Sequence, residues 1–204
     1  MRTPLLPITL AALLAGCGGP KTNTTSKETA ATPPADSALV QTPPAAAPAA
    51  PAAPTVTDPQ IAAIVVAAND VDIAAGRLAA TRAVDSTVKA FARQMIADHS
   101  KVNQSATALV TKLKVKPEPN ATSQELLQGG TKNRQALREK HGPAFDQAYI
   151  DNEVTYHQTV LDAIDKTLIP SAQNAELKTL LEQTRPAIAS HLQHAQEIQA
   201  SLKR

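Results

Sequence analysis

Residues 85–113 read DSTVKAFARQMIADHSKVNQSATALVTKL, and this stretch decides the fold. Apolar and small residues recur in it at steps of three and four, the spacing that places side chains on one face of an α-helix. The stripe continues for about seven turns and predicts a helix over residues 85–114, with Asp85 as its cap. His99 lies near the middle of the stripe, where a buried polar side chain needs a partner.

Two other segments carry similar stripes and predict helices over residues 143–168 and 173–202. A cap and a first-turn proline before an Ala-, Ile- and Val-rich run predict a helix over residues 58–82, with a strand as the alternative for its Val-rich part. No other segment has the alternation typical of a strand, so the folded part is predicted to be all-α. Short connections join the first helix to the second and the third to the fourth, whereas about 28 residues form the middle connection. Two antiparallel hairpins with a long crossover that contains a short helix predict a ferritin-like four-helix bundle.

Several residues are expected to disturb these helices. Ser123 is predicted to cap the short helix of the crossover, and Gly129-Gly130 to interrupt it. Pro186 is predicted to bend the last helix, because it lacks a backbone donor and crowds the preceding turn. His141, followed by glycine and proline, is interpreted as a helix stop before the third long helix.

The chain begins with one arginine, a short apolar run, small residues and a cysteine. This order predicts a secretory signal peptide over residues 1–16, since a membrane span needs about 20 apolar residues. Residues 14–17, LAGC, resemble the bacterial lipobox, which implies cleavage before Cys17 and a lipid on that residue. The alternative is an ordinary signal peptide with an incidental cysteine. By resemblance to Gram-negative lipoproteins, Gly18 favours the periplasmic face of the outer membrane within the cell envelope.

Residues 17–57 consist mostly of Ala, Pro, Thr, Ser and Lys, a composition with little to bury. They are predicted to form a disordered tether between the lipidated cysteine, which anchors the protein to a membrane, and a helical domain over residues 58–204. The formal net charge of the chain is only +2 and no basic stripe stands out, so nucleic acid is not an expected partner. No protein partner can be identified from the residues.

Each long helix carries a candidate metal ligand close to its middle. Helices of similar length in an antiparallel bundle bring their midpoints to one level, so these side chains are expected to converge. Three imidazoles and one carboxylate suit a divalent transition metal such as zinc, with copper, iron and nickel as alternatives. A second carboxylate, one turn before a histidine, could be a further ligand or a hydrogen-bond acceptor. The candidates are Asp72, His99, His157, His191 and Glu153.

The same residues allow an interpretation without a metal. Histidines in an alanine-rich core can hydrogen-bond to the nearby carboxylates and tyrosines, which satisfies the buried polar groups. Asp98 lies about 100° round the helix from His99, so it is expected to face away from the stripe. His194 either pairs with His191 or is exposed at the edge of the stripe, and exposure is the favoured interpretation.

The sequence argues against a di-iron enzyme. Such a site needs Glu-x-x-His motifs on two helices, because carboxylates bridge the irons and balance their charge. Apolar residues occupy the position three before each histidine instead, and no Ser-His-Asp, Cys-His, phosphate-loop or dinucleotide motif is present. A catalytic activity is therefore not predicted. The three apolar residues are Ile96, Val154 and Ile188.

Three segments also carry a recognisable pattern: GRLAATRAVDSTVKAFARQMIADHSKVN (76–103), FDQAYIDNEVTYHQTVL (145–161) and RPAIASHLQHAQEI (185–198). They resemble the bacterial domain-of-unknown-function 4142 family over about residues 61–202. The resemblance implies a ferritin-like bundle, often labelled an outer-membrane or membrane protein, and no settled activity. Asp72 stands where the family usually has Glu, which shortens the reach towards a central metal. The residues that correspond to the family pattern are Asp72, Asp98, His99, Tyr149, His157, Pro186 and His191.

Two main hypotheses about function follow, with a redox enzyme as a third alternative that the missing Glu-x-x-His motifs disfavour. In the first, a lipid-anchored envelope protein binds a transition metal in the middle of its helical bundle. In the second, a structural or interaction protein of the envelope uses the same buried histidines only to organise its core.

Overall fold

The computed structural model describes residues 56–203, so the predicted signal peptide, Cys17 and nearly all of the tether lie outside the described part. This part is helical and contains no strand, which confirms the all-α prediction. Within it, no helix combines the length and the apolar character needed to cross a membrane. The helices are α1 (Asp58–Arg82), α2 (Ser86–Lys112), α3 (Ala121–Arg138), α4 (Gly142–Ala163), α5 (Ile169–Ser171) and α6 (Ala175–Leu202), with a π-helical turn, Ile164–Leu168, between α4 and α5.

Side-chain caps fix where α1 and α2 begin. At the start of α1, Thr57 and Gln60 each accept a hydrogen bond from the backbone N–H of the other, which forms a capping box. At α2, the carboxylate of Asp85 accepts from the backbone N–H groups of Thr87 and Val88. These contacts satisfy donors that the first turn of a helix leaves free, so the starts agree with the sequence-based prediction.

The four long helices form two hairpins that pack together. α1 packs on α2, and α4 packs on α6. Contacts of α1 with α4 and of α2 with α6 then close the four-helix bundle. α3, in the crossover between the hairpins, packs mainly on α1.

The crossover contains a longer helix than the sequence predicts. α3 runs through Gly129 and Gly130 without a break, so the predicted interruption is wrong. A Cβ atom on Gly130 would lie 2.6 Å from Cγ1 of Val71 in α1, whereas a Cβ on Gly129 would meet nothing within 4 Å. The missing side chain at Gly130 therefore serves the close approach of α3 to α1.

Two prolines lie inside helical segments without ending them. The π-helical turn precedes Pro170, and in it the N–H of Ile169 donates to the carbonyl oxygen of Ile164. Because Pro170 has no N–H, the ordinary α-helical ladder cannot continue unchanged through this point. α6 likewise continues through Pro186 to Leu202.

Two apolar clusters fill the bundle, and a layer of buried polar side chains separates them. One cluster contains Phe91 and Tyr149, and the other contains Ile61 and Leu168. Along each long helix, the polar side chains lie between residues of the first cluster and residues of the second. This polar layer consists of Asp72, His99, Glu153, His157 and His191.

Candidate metal centre

The polar layer draws on all four long helices. α1 supplies Asp72, α2 supplies His99, α4 supplies Glu153 and His157, and α6 supplies His191. All five are between 1% and 3% exposed. One ring nitrogen from each of the three histidines lies within 4.8 Å of the others. The midpoints of the helices thus lie at one level, as their similar lengths predict.

Asp72 contacts two of the histidines through one oxygen. Its Oδ2 lies 3.0 Å from Nε2 of His99 and 3.3 Å from Nε2 of His157. Burial opposes ionisation of this carboxyl group, but the neighbouring histidines, His99 first, outweigh burial and lower the pKa of Asp72. The side chain is therefore a carboxylate at neutral pH.

Hydrogen bonds made by Nδ1 of two rings show that Nδ1 carries a proton in each. Nδ1 of His157 donates to the backbone carbonyl oxygen of Glu153 at 3.0 Å, and Nδ1 of His99 donates to Oδ1 of Asn69 at 2.7 Å. Burial outweighs the opposing charge of Asp72 and lowers the pKa of His157 to about 4, so this ring is neutral at pH 7. A neutral ring that donates from Nδ1 carries a lone pair at Nε2.

Two ring nitrogens face a negative charge. Nε2 of His157, an acceptor in its neutral ring, is directed at the Asp72 carboxylate, and Nε2 of His99 is directed at the same oxygen. Neither nitrogen, nor either oxygen of Asp72, has a hydrogen-bond partner among residues 56–203. Buried polar atoms are normally paired, and a carboxylate oxygen with two ring nitrogens around it is an arrangement that a shared cation stabilises.

His191 is oriented from outside the layer by Asp98. Its Nε2 lies 3.2 Å from Oδ2 of Asp98, which leaves the buried Nδ1 without a partner in the described part of the chain. Burial, followed by the charge of His99, lowers the pKa of His191. Asp98 thus lies outside the polar layer, as predicted, but the rotation of about 100° also turns its side chain towards α6, a contact that the sequence did not predict. The Asp98 side chain remains 34% exposed.

The spacing of the rings suits a tetrahedral ion. Zinc binds imidazole nitrogen at about 2.0–2.1 Å, so tetrahedral ligand atoms lie about 3.3 Å apart and the ring centroids about 5.2 Å apart. The three centroid separations are 5.6 Å for His99 and His157, 5.3 Å for His99 and His191, and 5.5 Å for His157 and His191. The two Asp72 contacts, 3.0 and 3.3 Å, lie close to the expected edge as well.

Glu153 and Tyr149 border the layer on the side of α4. Oε2 of Glu153 lies 3.5 Å from Nδ1 of His157, and Glu153 forms a second close group with Asp72 and His157. Burial and the charge of Asp72 raise the pKa of Glu153 well above its usual value, so the side chain favours the neutral carboxylic acid. The Tyr149 hydroxyl is also buried, with no hydrogen-bond partner in residues 56–203.

The two remaining histidines lie outside the group. The half-buried ring of His194 packs edge-on against Phe91, with the centroids 5.3 Å apart. His141 is the N-cap residue of α4, and its Nδ1 lies 3.2 Å from a guanidinium nitrogen of Arg82. The interpretation of His141 as a helix boundary agrees with this position.

Sequence analysis missed Asn69 and the contact of Asp98 with His191. Asn69 lies three residues before Asp72, a spacing that puts both side chains on one face of α1. That spacing was a usable signal. The direction of Asp98 depended on where α6 lies relative to α2, which periodicity within one helix does not define.

The fold and the polar layer together define a class of protein, an all-α bundle with a buried cluster of histidines and carboxylates. A family model described as "Domain of unknown function (DUF4142)" matches residues 43–198, and the chain belongs to this family. No curated protein and no solved structure matches the chain. The family description names no activity, so an argument about function rests on the site.

Proposed function

We propose that this protein binds a divalent transition metal in the middle of its bundle. Asp72, His99, His157 and His191 would supply one ligand atom each, from four different helices. The observation that carries the proposal is the convergence of Nε2 of His99 and Nε2 of His157 on one oxygen of the buried Asp72 carboxylate. Nε2 of the neutral His157 ring carries no proton to share with the carboxylate, whereas a cation between these atoms would satisfy both of them.

Zinc is the ion that the donor set fits best. Three imidazole nitrogens and one carboxylate oxygen are typical zinc ligands, and the ring spacing agrees with tetrahedral coordination. Copper, iron and nickel bind similar donors and compete according to their availability. The contacts of Asn69 and Asp98 support the proposal further, since metal-binding histidines normally donate their other N–H to an acceptor that orients the ring.

Metal analysis of the purified full-length protein tests this function. We expect about one equivalent of zinc per chain after reconstitution and gel filtration, and a large loss in His157→Gln. His194→Gln is the matched control, because it removes a half-buried imidazole three residues from His191 without touching the group. Wild-type protein that retains less than about 0.1 equivalent of every transition metal would contradict the proposal and favour the metal-free structural role.

We further propose that a lipid on Cys17 anchors this domain in the cell envelope. Support comes from the order of arginine, apolar run and LAGC at the start of the chain. Acyl chains favour membrane insertion by about 0.8 kcal/mol per buried methylene. Detergent-phase partitioning of the protein made in a bacterial host checks this: wild type should enter the detergent phase and Cys17→Ser the aqueous phase. Equal partitioning of both proteins would exclude the anchor.

A further inference from the structure

A cavity of about 110 Å³ lies directly beside the polar layer, inside the second apolar cluster. At one end it meets Asn69, Asp72, His99 and His157. Its walls come from α1, α2, α3, α4, α6 and the π-helical turn. The cavity therefore joins the candidate metal centre to the apolar interior of the bundle.

Three hydroxyl groups in the walls of the cavity are satisfied by backbone carbonyl oxygens. Thr184 donates to the carbonyl oxygen of Leu180, and Thr159 donates to that of Thr155, so both hydroxyls are satisfied within their own helices. The Tyr156 hydroxyl donates to the backbone carbonyl oxygen of Ala68. Most of the remaining wall is aliphatic, including Ile64, Val160, Leu181 and Ile188.

The polar end of the cavity differs sharply from these walls. The unpartnered atoms there are the two oxygens of Asp72 and the Nε2 atoms of His99 and His157. A divalent ion bound by one carboxylate and three neutral imidazoles keeps a net charge of about +1. A buried net charge is unfavourable unless a counter-charge accompanies it. The cavity thus offers an apolar space that ends at a site for one negative charge.

We propose that the cavity binds a short-chain monocarboxylate, with its carboxylate on the metal and its alkyl chain among the aliphatic walls. This inference rests on the proposed metal-binding function and names the class of ligand that the same site would take. Zinc accommodates such a ligand by expanding to five-coordination.

The volume of the cavity limits the length of the chain. An engineered apolar cavity of about 150 Å³ binds benzene, which has six carbons, so 110 Å³ corresponds to roughly four carbons. Each additional methylene buried in the cavity should raise affinity about fourfold. Affinity should therefore rise from acetate to butyrate by roughly fifteenfold and stop rising once the chain exceeds the cavity.

Titration of the Co²⁺-loaded full-length protein with a chain-length series provides the test. The visible absorption of Co²⁺ reports its coordination, so each of acetate, propionate, butyrate, hexanoate and octanoate gives a dissociation constant. We expect the rise through butyrate and no further gain at octanoate. Equal affinities for acetate and butyrate, or a continued rise to octanoate, would overturn the proposal.

A cavity-filling variant tests whether the preference for longer chains arises in this cavity. Ala163→Leu adds three carbons at the cavity wall and should abolish the preference for butyrate over acetate, with Ala68→Leu as a second filling variant on another helix. Ala136→Leu, at an exposed position of α3, is the control and should keep the preference. An unchanged preference in folded Ala163→Leu or Ala68→Leu would contradict the cavity assignment.

The same samples separate the two proposals. Protein that holds Co²⁺ but does not discriminate between chain lengths refutes the monocarboxylate site and leaves metal binding intact. Protein that holds no Co²⁺ or Zn²⁺ refutes the proposed function, and the carboxylate site with it.

Discussion

Hydrogen bonds outside the polar layer determine which ring nitrogen of each histidine points into the layer. His157 donates to the Glu153 carbonyl oxygen, His99 to Asn69 and His191 to Asp98. Each of these bonds uses one ring N–H and turns the other ring nitrogen inward. The inward-facing set is thus determined by three acceptors that would touch no metal.

Removal of Asp98 tests this dependence. In Asp98→Ala, His191 loses the acceptor that orients it, so we expect metal affinity to fall about 10–100-fold while the fold is retained. Competition with a chromogenic chelator measures the change. Asp70→Ala is the matched control, because Asp70 is an exposed aspartate on α1 that bonds Asn103 and no histidine. Equal losses in both variants would contradict an orienting role for Asp98.

Glu153 gives a pH-dependent prediction for the metal-free protein. Its native pKa is raised above the ordinary value of 4.5, mainly by burial, so the folded state holds a proton that the unfolded chain releases. The stabilising contribution of this group is complete below pH 4.5 and is lost as the pH rises through the native pKa. Gln does not titrate, so Glu153→Gln should gain free energy of unfolding relative to wild type as the pH rises.

Urea denaturation of both proteins with chelator present, at pH 4.5 and at pH 7, measures this difference. A stability difference that is the same at the two pH values would show that Glu153 is not held protonated.

At the residue scale, part of the candidate centre could be predicted and part could not. The five polar-layer residues interrupt apolar stripes, and an interrupted stripe is visible in a sequence. Asp98 lies on a flank of α2, and its contact depends on a neighbouring helix 93 positions away. A long-range contact of this kind leaves no periodic signal within either helix.

Among the helices, α3 packs against α1 next to the polar layer. Gly130 allows α3 to approach Val71, which is adjacent to Asp72 in α1. Gly129, by contrast, lies in open space one position earlier. Neighbouring glycines in one helix therefore have opposite packing environments.

These two glycines form a matched pair for mutation. Gly129→Ala should stabilise the protein by about 1 kcal/mol, because alanine favours the helix more than glycine does. Gly130→Ala places its methyl group 2.6 Å from Cγ1 of Val71 and should destabilise by about 1–3 kcal/mol despite the same helix preference. Denaturant unfolding measures both. Equal effects of the two substitutions would rule out tight packing of α3 on α1.

The elements themselves were largely predictable. Thr57 and Asp85 are side chains with clear capping patterns, and they define the starts of α1 and α2. The glycine pair in α3 was misread because local helix preference treats every glycine as a breaker. Whether a glycine breaks a helix or allows contact with another one depends on packing that becomes known only when the helices are assembled.

For the molecule as a whole, a bound metal would link the two hairpins. The proposed ligands divide between α1 and α2 in one hairpin and α4 and α6 in the other. Zinc at about 100 times its dissociation constant should add about 2.7 kcal/mol to the free energy of unfolding. For a domain of this size, that gain corresponds to a rise of about 5–10 °C in Tm.

Thermal unfolding with and without chelator checks the link. Chelator should lower the Tm of wild type, and zinc should restore it. His157→Gln should respond to neither addition, while His194→Gln should respond as wild type does. A wild-type Tm that changes with neither zinc nor chelator would contradict metal binding to the native state.

The polar layer also determines how far one helix can slide along another. Moving α1 by one turn, about 5.4 Å, would carry Asp72 into an apolar cluster and bring Ala75 or Ala68 to the level of His99. An ion buried without its partner costs several kcal/mol, so every such slipped arrangement is disfavoured. Bundles built on alanine have smooth, repetitive surfaces that distinguish poorly between alignments. Here the polar layer specifies the register of the four helices, because only one longitudinal alignment brings its side chains together.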